Sequence, residues 1–210
     1  MKILKVLVAC EESQAVTIEF RKLGHEAYSC DLQSCSGGHP EWHIQDDAIK
    51  ALFYEDWDLV IAHPPCDYLA NSGVRWRVER EEWQQIKDGA FFFNQFIKYA
   101  KIGNKTVIEN PIQHKYAREY VPKYHQIIQP HQFGHMEMKA TCLWLYGVPP
   151  LIPTKNVYAE MMQLPYKDRA KVHCCSPGPE RAKIRSKTYK GIAEAMATQW
   201  SNFALNTTTV

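Results

Sequence analysis

A repeated pairing constrains this chain most: a short apolar run followed at once by a polar cluster. Residues 3–9 (ILKVLVA) lead into Cys10, Glu11, Glu12 and Ser13, and residues 26–30 (EAYSC) into Asp31. A brief segment around Ile44 leads into Asp46 and Asp47, residues 59–62 (LVIA) into HPPC, and residues 106–108 (TVI) into Glu109, Asn110 and Pro111. Runs this short and rich in β-branched side chains predict strands buried on both faces. Helical periodicities lie between them. Ala15, Val16, Ile18, Phe20 and Leu23 make one apolar face, with Ser13 as the expected N-cap and Gly24 as the stop. Residues 48–54 predict one or two helical turns. Trp83, Ile86, Ala90, Phe93, Ile97 and Ala100 predict a long helix over 79–101, and Ile192, Ala195, Met196 and Trp200 a last one over 188–203. Residues 125–130 and 140–146 predict two further strands, and 67–78 a loop. Strands alternating with helices predict an α/β fold with a Rossmann-like, mainly parallel central sheet. Ligands bind such sheets at the carboxyl ends of the strands, so the five polar clusters are expected along one rim.

With 210 residues, 45% of them hydrophobic, the chain can bury one sizeable core. That core is expected from residues 1–146 plus 188–203. Residues 147–187, rich in Pro, Lys and Arg, predict a small, basic, loop-rich segment facing a substrate, and 204–210 a frayed tail. No run nears the roughly 18 apolar residues of a membrane span, and the start lacks the long apolar stretch of a signal peptide. Both features predict a soluble, cytoplasmic protein without a membrane partner. Seven cysteines, an odd number with no export signal, argue against a disulfide framework. A net charge of +2 excludes a global polycation, yet residues 165–190 hold eight basic residues against two acidic ones. That stretch suits phosphates, or is a solvated loop.

Asp31 stands about 20 residues beyond the first strand-to-helix turn, where a carboxylate accepts the hydroxyls of a ribose; the alternative is a turn cap. Asp46 or Asp47 can accept from an adenine amino group, or cap the next helix. The first turn, Ala9 to Val16, has no glycine, and Glu11 and Glu12 would repel a phosphate. A ligand with a positive centre suits them better. Cys10, Glu11, Glu12, Ser13, Asp31, Asp46, Asp47 and Pro64 are therefore the candidate cofactor contacts, and a sulfonium is a motive for S-adenosyl-L-methionine.

Pro64 and Pro65 stiffen the strand end before Cys66. A cysteine held there beside His63 is placed for nucleophilic work, or is a packed thiol. Paired with Glu109, it has one clear use. A thiolate adds to C6 of cytosine while a Glu protonates or hydrogen-bonds N3, and C5 then takes a methyl group. In duplex DNA the base must first be flipped out. His63, Pro65, Tyr68, Asn71, Ser72, Asn110 and Pro111 are candidate substrate contacts, and Tyr68, Asn71 and Gly73 lie in a loop able to close over a substrate.

On these residues the chain resembles DNA cytosine-5 methyltransferases, especially short phage- and prophage-encoded proteins. VIAHPPCDYLANSG is similar to that family's Pro-Pro-Cys loop, with Cys66 at the nucleophile, and Glu109-Asn110-Pro111 to its Glu-Asn-Val segment. The resemblance implies a class I S-adenosylmethionine-dependent methyltransferase fold, C5 methylation of cytosine in DNA, Asp31 at the ribose, and Asp46 or Asp47 at the adenine. Lys139 and Thr141 stand where the family carries Gln-x-Arg-x-Arg, and Lys183 and Arg185 in the basic stretch would meet DNA. The family's Phe-x-Gly-x-Gly-Gly turn is absent, and too few residues remain for its target-recognition domain. Two other readings stay open. One is a degenerate, non-catalytic fold of phage origin that binds a nucleotide, a nucleic acid or a host or phage protein, as in counter-defence. The other is an enzyme that modifies a small nucleotide. Cys30, Cys35, His39 and His43 have spacings tolerable for zinc, but Cys30 reads as an inward strand residue, so no metal site is assigned.

Overall fold

The computed structural model describes residues 2–176, 178 and 181–206, without the side chains of residues 182–184. Five parallel strands come first: β1 (Lys5–Ala9), β2 (Glu26–Asp31), β3 (His43–Gln45), β4 (Leu59–Ala62) and β5 (Thr106–Pro111). β6 (Gln126–Ile128) and β7 (Thr141–Tyr146) follow. The sheet order is β3-β2-β1-β4-β5-β7-β6, and only the pairings made by β7 are antiparallel. The 3-2-1-4-5 part is shared with the doubly wound Rossmann arrangement, and its order reverses between β1 and β4.

Alternation along the strands builds two cores. Val6, Val8, Leu59, Ile61 and Val107 face helices α1 (Ala15–Lys22) and α9 (Lys190–Asn206). Leu7, Val60, Ala62, Ile108 and Trp144 face the opposite layer, with α2 (Ala48–Ala51) and α4 (Trp83–Lys101). Strands buried on both sides need this unbroken apolar character, which is why the runs were legible. Trp144 and Trp200 are fully buried, and each satisfies its indole N–H on a proline carbonyl, Pro122 at 2.7 Å and Pro149 at 3.0 Å.

Several boundaries differ from expectation. The loop expected over 67–78 folds at its end into α3 (Val74–Glu79), which starts at Gly73 with φ 83°. Glu81, with φ 55°, breaks the expected 79–101 helix, so α4 begins at Trp83. Residues 147–187 are not loop-rich throughout. They form α5 (Tyr158–Met162), α6 (Tyr166–Arg169), α7 (Lys171–Cys174) and α8 (Arg181–Ser186). One or two turns each is too short to leave a periodicity in sequence. The last helix continues to Asn206, three residues into the expected tail, because Ala204 is buried against the core. Residues 207–210 lie outside the described residues. Among the described residues no helix is long and apolar enough to cross a membrane.

Candidate active site

The carboxyl ends of β1 to β5 and the start of the reversed β7 share one rim. The order of the strands divides it in two, with the switch between β1 and β4 at the centre.

The β1 turn solves without glycine a problem that glycine normally solves. Cys10 and Gln14 both take left-handed backbone, at φ 58° and 57°, a conformation costly for residues with a Cβ. Buried hydrogen bonds hold Gln14 there. Its Nε2 donates to the His39 carbonyl at 2.8 Å and to Ser29 Oγ at 3.2 Å, and its Oε1 accepts from the His39 N–H at 3.1 Å. The close-approach glycine sits on the facing loop instead. A Cβ on Gly37 would lie 2.6 Å from Gln14 Cβ and 2.7 Å from the Ser13 carbonyl oxygen. The Ser36 N–H donates to the Glu12 carbonyl at 2.8 Å, so residues 32–39 clasp the turn.

Glu11 also differs from expectation. Its carboxylate is buried and folds onto the start of α1, accepting from the N–H of Val16 at 2.7 Å and of Thr17 at 3.2 Å, and from Thr17 Oγ1 at 2.7 Å. Glu11, not Ser13, caps this helix; Ser13 Oγ reaches only the Ala15 N–H, at 3.5 Å. Donors that would otherwise face an anion are taken, and a pyrophosphate would meet a carboxylate. Burial pushes the Glu11 carboxyl up, against the pull of His63 and of these hydrogen bonds.

Along β2 and β3, Asp31 accepts from the Gln33 N–H at 2.9 Å. Asp46 accepts from the Asp47 N–H at 2.6 Å and from the Tyr54 hydroxyl at 2.6 Å. Asp47 caps α2 through the Ile49 N–H at 2.7 Å. All three have local structural roles, and carboxylates retain further acceptor positions beside these bonds. Leu32, 74% exposed next to Asp31, was not singled out by sequence; only its exposure beside a rim carboxylate marks it. The zinc spacing does not assemble. The Cys30 thiol donates to the Asp46 carbonyl, His39 stacks on Trp42, and His43 binds Ser29 and the Gln33 carbonyl. Among the described residues no three His, Cys, Asp or Glu side chains converge on a point suited to a metal ion.

The other half of the rim gathers the residues around Cys66. The register pairs Ala62 with Ile108, so His63 and Glu109 stand side by side one step further on. His63 Nδ1 lies 3.4 Å from Glu109 Oε2, with the two side chains only 12% and 18% exposed. Burial opposes the charge on His63, but the hydrogen bond to Glu109 and the charges of Glu109 and Glu11 outweigh it and raise its pKa. Burial also pushes the Glu109 carboxyl up, yet His63, Lys139 and Thr141 together hold it below the usual range. Glu109, Asn110 and Pro111 lie within β5 rather than after it, paired with Leu143, Cys142 and Thr141 of β7. That pairing brings Thr141 and the preceding Lys139 to the rim.

The Cys66 loop is braced. Asn110 Nδ2 donates to the Pro64 carbonyl at 2.8 Å, and the His114 ring bonds the Tyr68 carbonyl at 2.8 Å. The Asn71 N–H donates to the Ile112 carbonyl at 2.8 Å, and the His114 N–H to the Leu69 carbonyl at 3.1 Å. Residues 64–71 are thus hydrogen-bonded to the end of β5 and to the segment after it. Burial, Asp67 and Glu109 raise the Cys66 thiol to about 11, against the opposing charges of Lys139 and Arg185. Lys139 is lowered by burial in spite of Glu109 and Cys66, and its ammonium donates to the Lys187 carbonyl at 3.1 Å. Arg185 comes from α8 and donates to Ser72 Oγ at 2.8 Å. The side chain of Lys183 lies outside the described residues. Sequence did not single out Arg77, which stacks over the Tyr68 ring at 4.3 Å and, with Trp76, lines a cleft of about 300 Å³ beside this loop.

Compared with protein-family models and with curated proteins, the chain matches none.

Proposed function

We propose that this chain is an S-adenosyl-L-methionine-dependent methyltransferase that acts on C5 of cytosine in DNA, with Cys66 as nucleophile and Glu109 as the partner of N3. One observation carries the reading: a cysteine on a braced loop and a largely buried glutamate come from neighbouring strand ends, and the thiol feels the charges of Glu109, Lys139 and Arg185. The sheet order is compatible with the class I methyltransferase fold that the resemblance implies.

The cofactor fits on two grounds. Glu11 fills the start of α1 and disfavours a pyrophosphate, a group that S-adenosylmethionine lacks. At the ends of β4 and β5, beside the switch point, His63 Nε2 and Asn110 Oδ1 are buried polar atoms with no partner among the described residues, as at a rim built to meet a polar ligand. Asp31 would hold the ribose and Leu32 would cover a flat ring, with Asp46 or Asp47 at its amino group. The cofactor supplies an electrophilic methyl group. The chain supplies the rest. Cys66 loses its proton to water, favoured by Lys139 and Arg185, and its sulfur bonds C6 of the flipped base as the C5–C6 π pair shifts toward C5. Glu109 accepts a hydrogen bond from N3 as that nitrogen takes up a proton, which N3 gives back at elimination. After methylation, water takes the C5 proton, and elimination breaks the S–C6 bond. Ser72 with Arg185, and the basic helices behind them, would meet the strand's phosphates.

A second reading, a non-catalytic fold that binds a nucleotide, a nucleic acid or a protein, is favoured by the filled β1 turn. One assay separates the two. Calorimetric titration with S-adenosylmethionine, followed by transfer of labelled methyl groups to cytosine-containing DNA, should give binding and a signal lost in Cys66→Ser. Absence of cofactor binding would overturn the methyltransferase reading.

A further inference from the structure

We infer that His63 is a proton store for Glu109: the imidazolium passes its Nδ1 proton to the Glu109 carboxylate as that carboxylate protonates the ring nitrogen of the bound base. This rests on the methyltransferase reading and adds to it a positioning residue, acting through Glu109 rather than on the substrate itself.

The argument begins with the demand on Glu109. A carboxylate can hydrogen-bond a base, but to protonate N3 it must first hold a proton. His63, Lys139 and Thr141 hold the Glu109 carboxyl below the usual range, so a hydrogen-bonded donor beside it serves it better than an occasional proton from water. Among the described residues that act on Glu109, His63 is the titratable donor in hydrogen-bond contact with it, 3.4 Å away through Nδ1, while the Thr141 hydroxyl has no acidic proton to give up. The other ring nitrogen, Nε2, is buried with no protein partner among the described residues, which leaves Glu109 as the bonded outlet for the proton. The groups acting on the ring are Glu11 from the β1 turn, Glu109 from β5 and Lys139 before β7; the two carboxylates favour the charged imidazole and the ammonium opposes it. The step balances. The Nδ1–H bond breaks as the Oε2–H bond forms, and Oε2–H breaks as N3–H forms. The enzyme is left with neutral His63 and ionised Glu109, and elimination reverses both transfers.

Formation of the covalent adduct between Cys66 and DNA containing 5-fluorocytosine, followed against pH, tests this. Because the thiol titrates high and the imidazole lower, the wild-type rate should climb with pH up to the His63 pKa and then level off. His63→Gln should trap at least about tenfold more slowly, with no such break. DNA carrying pyrimidin-2-one, more electrophilic at C6 and less dependent on N3 protonation, should narrow the gap between the two proteins. NMR titration of wild type and Glu109→Gln adds a readout free of catalysis: the His63 signal should titrate above the ordinary range in the first and drop in the second. Equal rates and equal profiles for wild type and His63→Gln would overturn the role of His63 alone. No adduct in wild type would overturn the methyltransferase reading with it.

Discussion

Asn110 donates through Nδ2 to the Pro64 carbonyl at 2.8 Å, so the strand that carries Glu109 also holds the loop that carries Cys66. Both groups are buried. Replacing Asn110 with Ala leaves that carbonyl without its donor, at a cost of about 1–3 kcal/mol. Denaturant melts of Asn110→Ala should register that loss, and adduct formation at Cys66 should slow although neither Cys66 nor Glu109 has changed.

Glu11 serves α1 as an internal acceptor. Glu11→Ala frees the N–H groups of Val16 and Thr17 and should lower stability by about 1–2 kcal/mol, as loss of a helix cap does. Glu11→Gln keeps one acceptor for these donors, so it should cost less. Chemical denaturation of the two variants side by side checks the order.

Two glycines mark places where backbone meets backbone. A Cβ on Gly191 would lie 2.0 Å from the Phe133 carbonyl oxygen, where α9 begins. On Gly37 it would meet Gln14 and Ser13 at 2.6 to 2.7 Å. Both alanine variants should destabilise, by about 1–3 kcal/mol for overpacking, with Gly191→Ala the worse. Gly38→Ala should also destabilise, through its φ of 87° rather than through contact, since nothing lies within 4 Å of a Cβ there. Thermal melts of the three variants separate these causes.

The His63–Glu109 pair makes stability depend on pH in a stated direction. Glu109 has a lowered pKa, so its contribution is present above its ordinary value of 4.5 and is lost as pH falls through the lower folded value. His63 has a raised pKa, so its contribution is complete below its ordinary value of 6.5 and is lost as pH rises through the higher folded one. The stability difference between wild type and His63→Gln should therefore be largest between about pH 4.5 and 6.5 and shrink on either side. Urea melts across that range provide the check.

What could be read from the sequence depended on how local each cause was. β4 was legible to the residue, because Leu59–Ala62 is uniformly apolar and bounded by Asp58 and two prolines. That the strand ends carrying Cys66 and Glu109 share one rim follows from the rule that parallel strands present their carboxyl ends together. The cap of α1 differs from the sequence expectation, because a Glu four residues ahead of the helix does what a Ser at the boundary usually does. The missing glycine of the first turn was found 23 residues on, at Gly37, where only the folded loop brings it back to Gln14. The short helices between Tyr158 and Ser186 lack the length to show a period. Arg185 reaches Ser72 from 113 positions away, a distance no local pattern spans.

The central claim is that Cys66 and Glu109 act on one pyrimidine ring. Mass spectrometry of the protein after incubation with S-adenosylmethionine and duplex DNA containing 5-fluorocytosine tests it most directly. The account predicts a covalent nucleotide on the peptide that contains Cys66, absent in Cys66→Ser and formed far more slowly in Glu109→Gln. An unmodified Cys66 peptide in the wild type, or an adduct that forms equally well without Glu109, would contradict it.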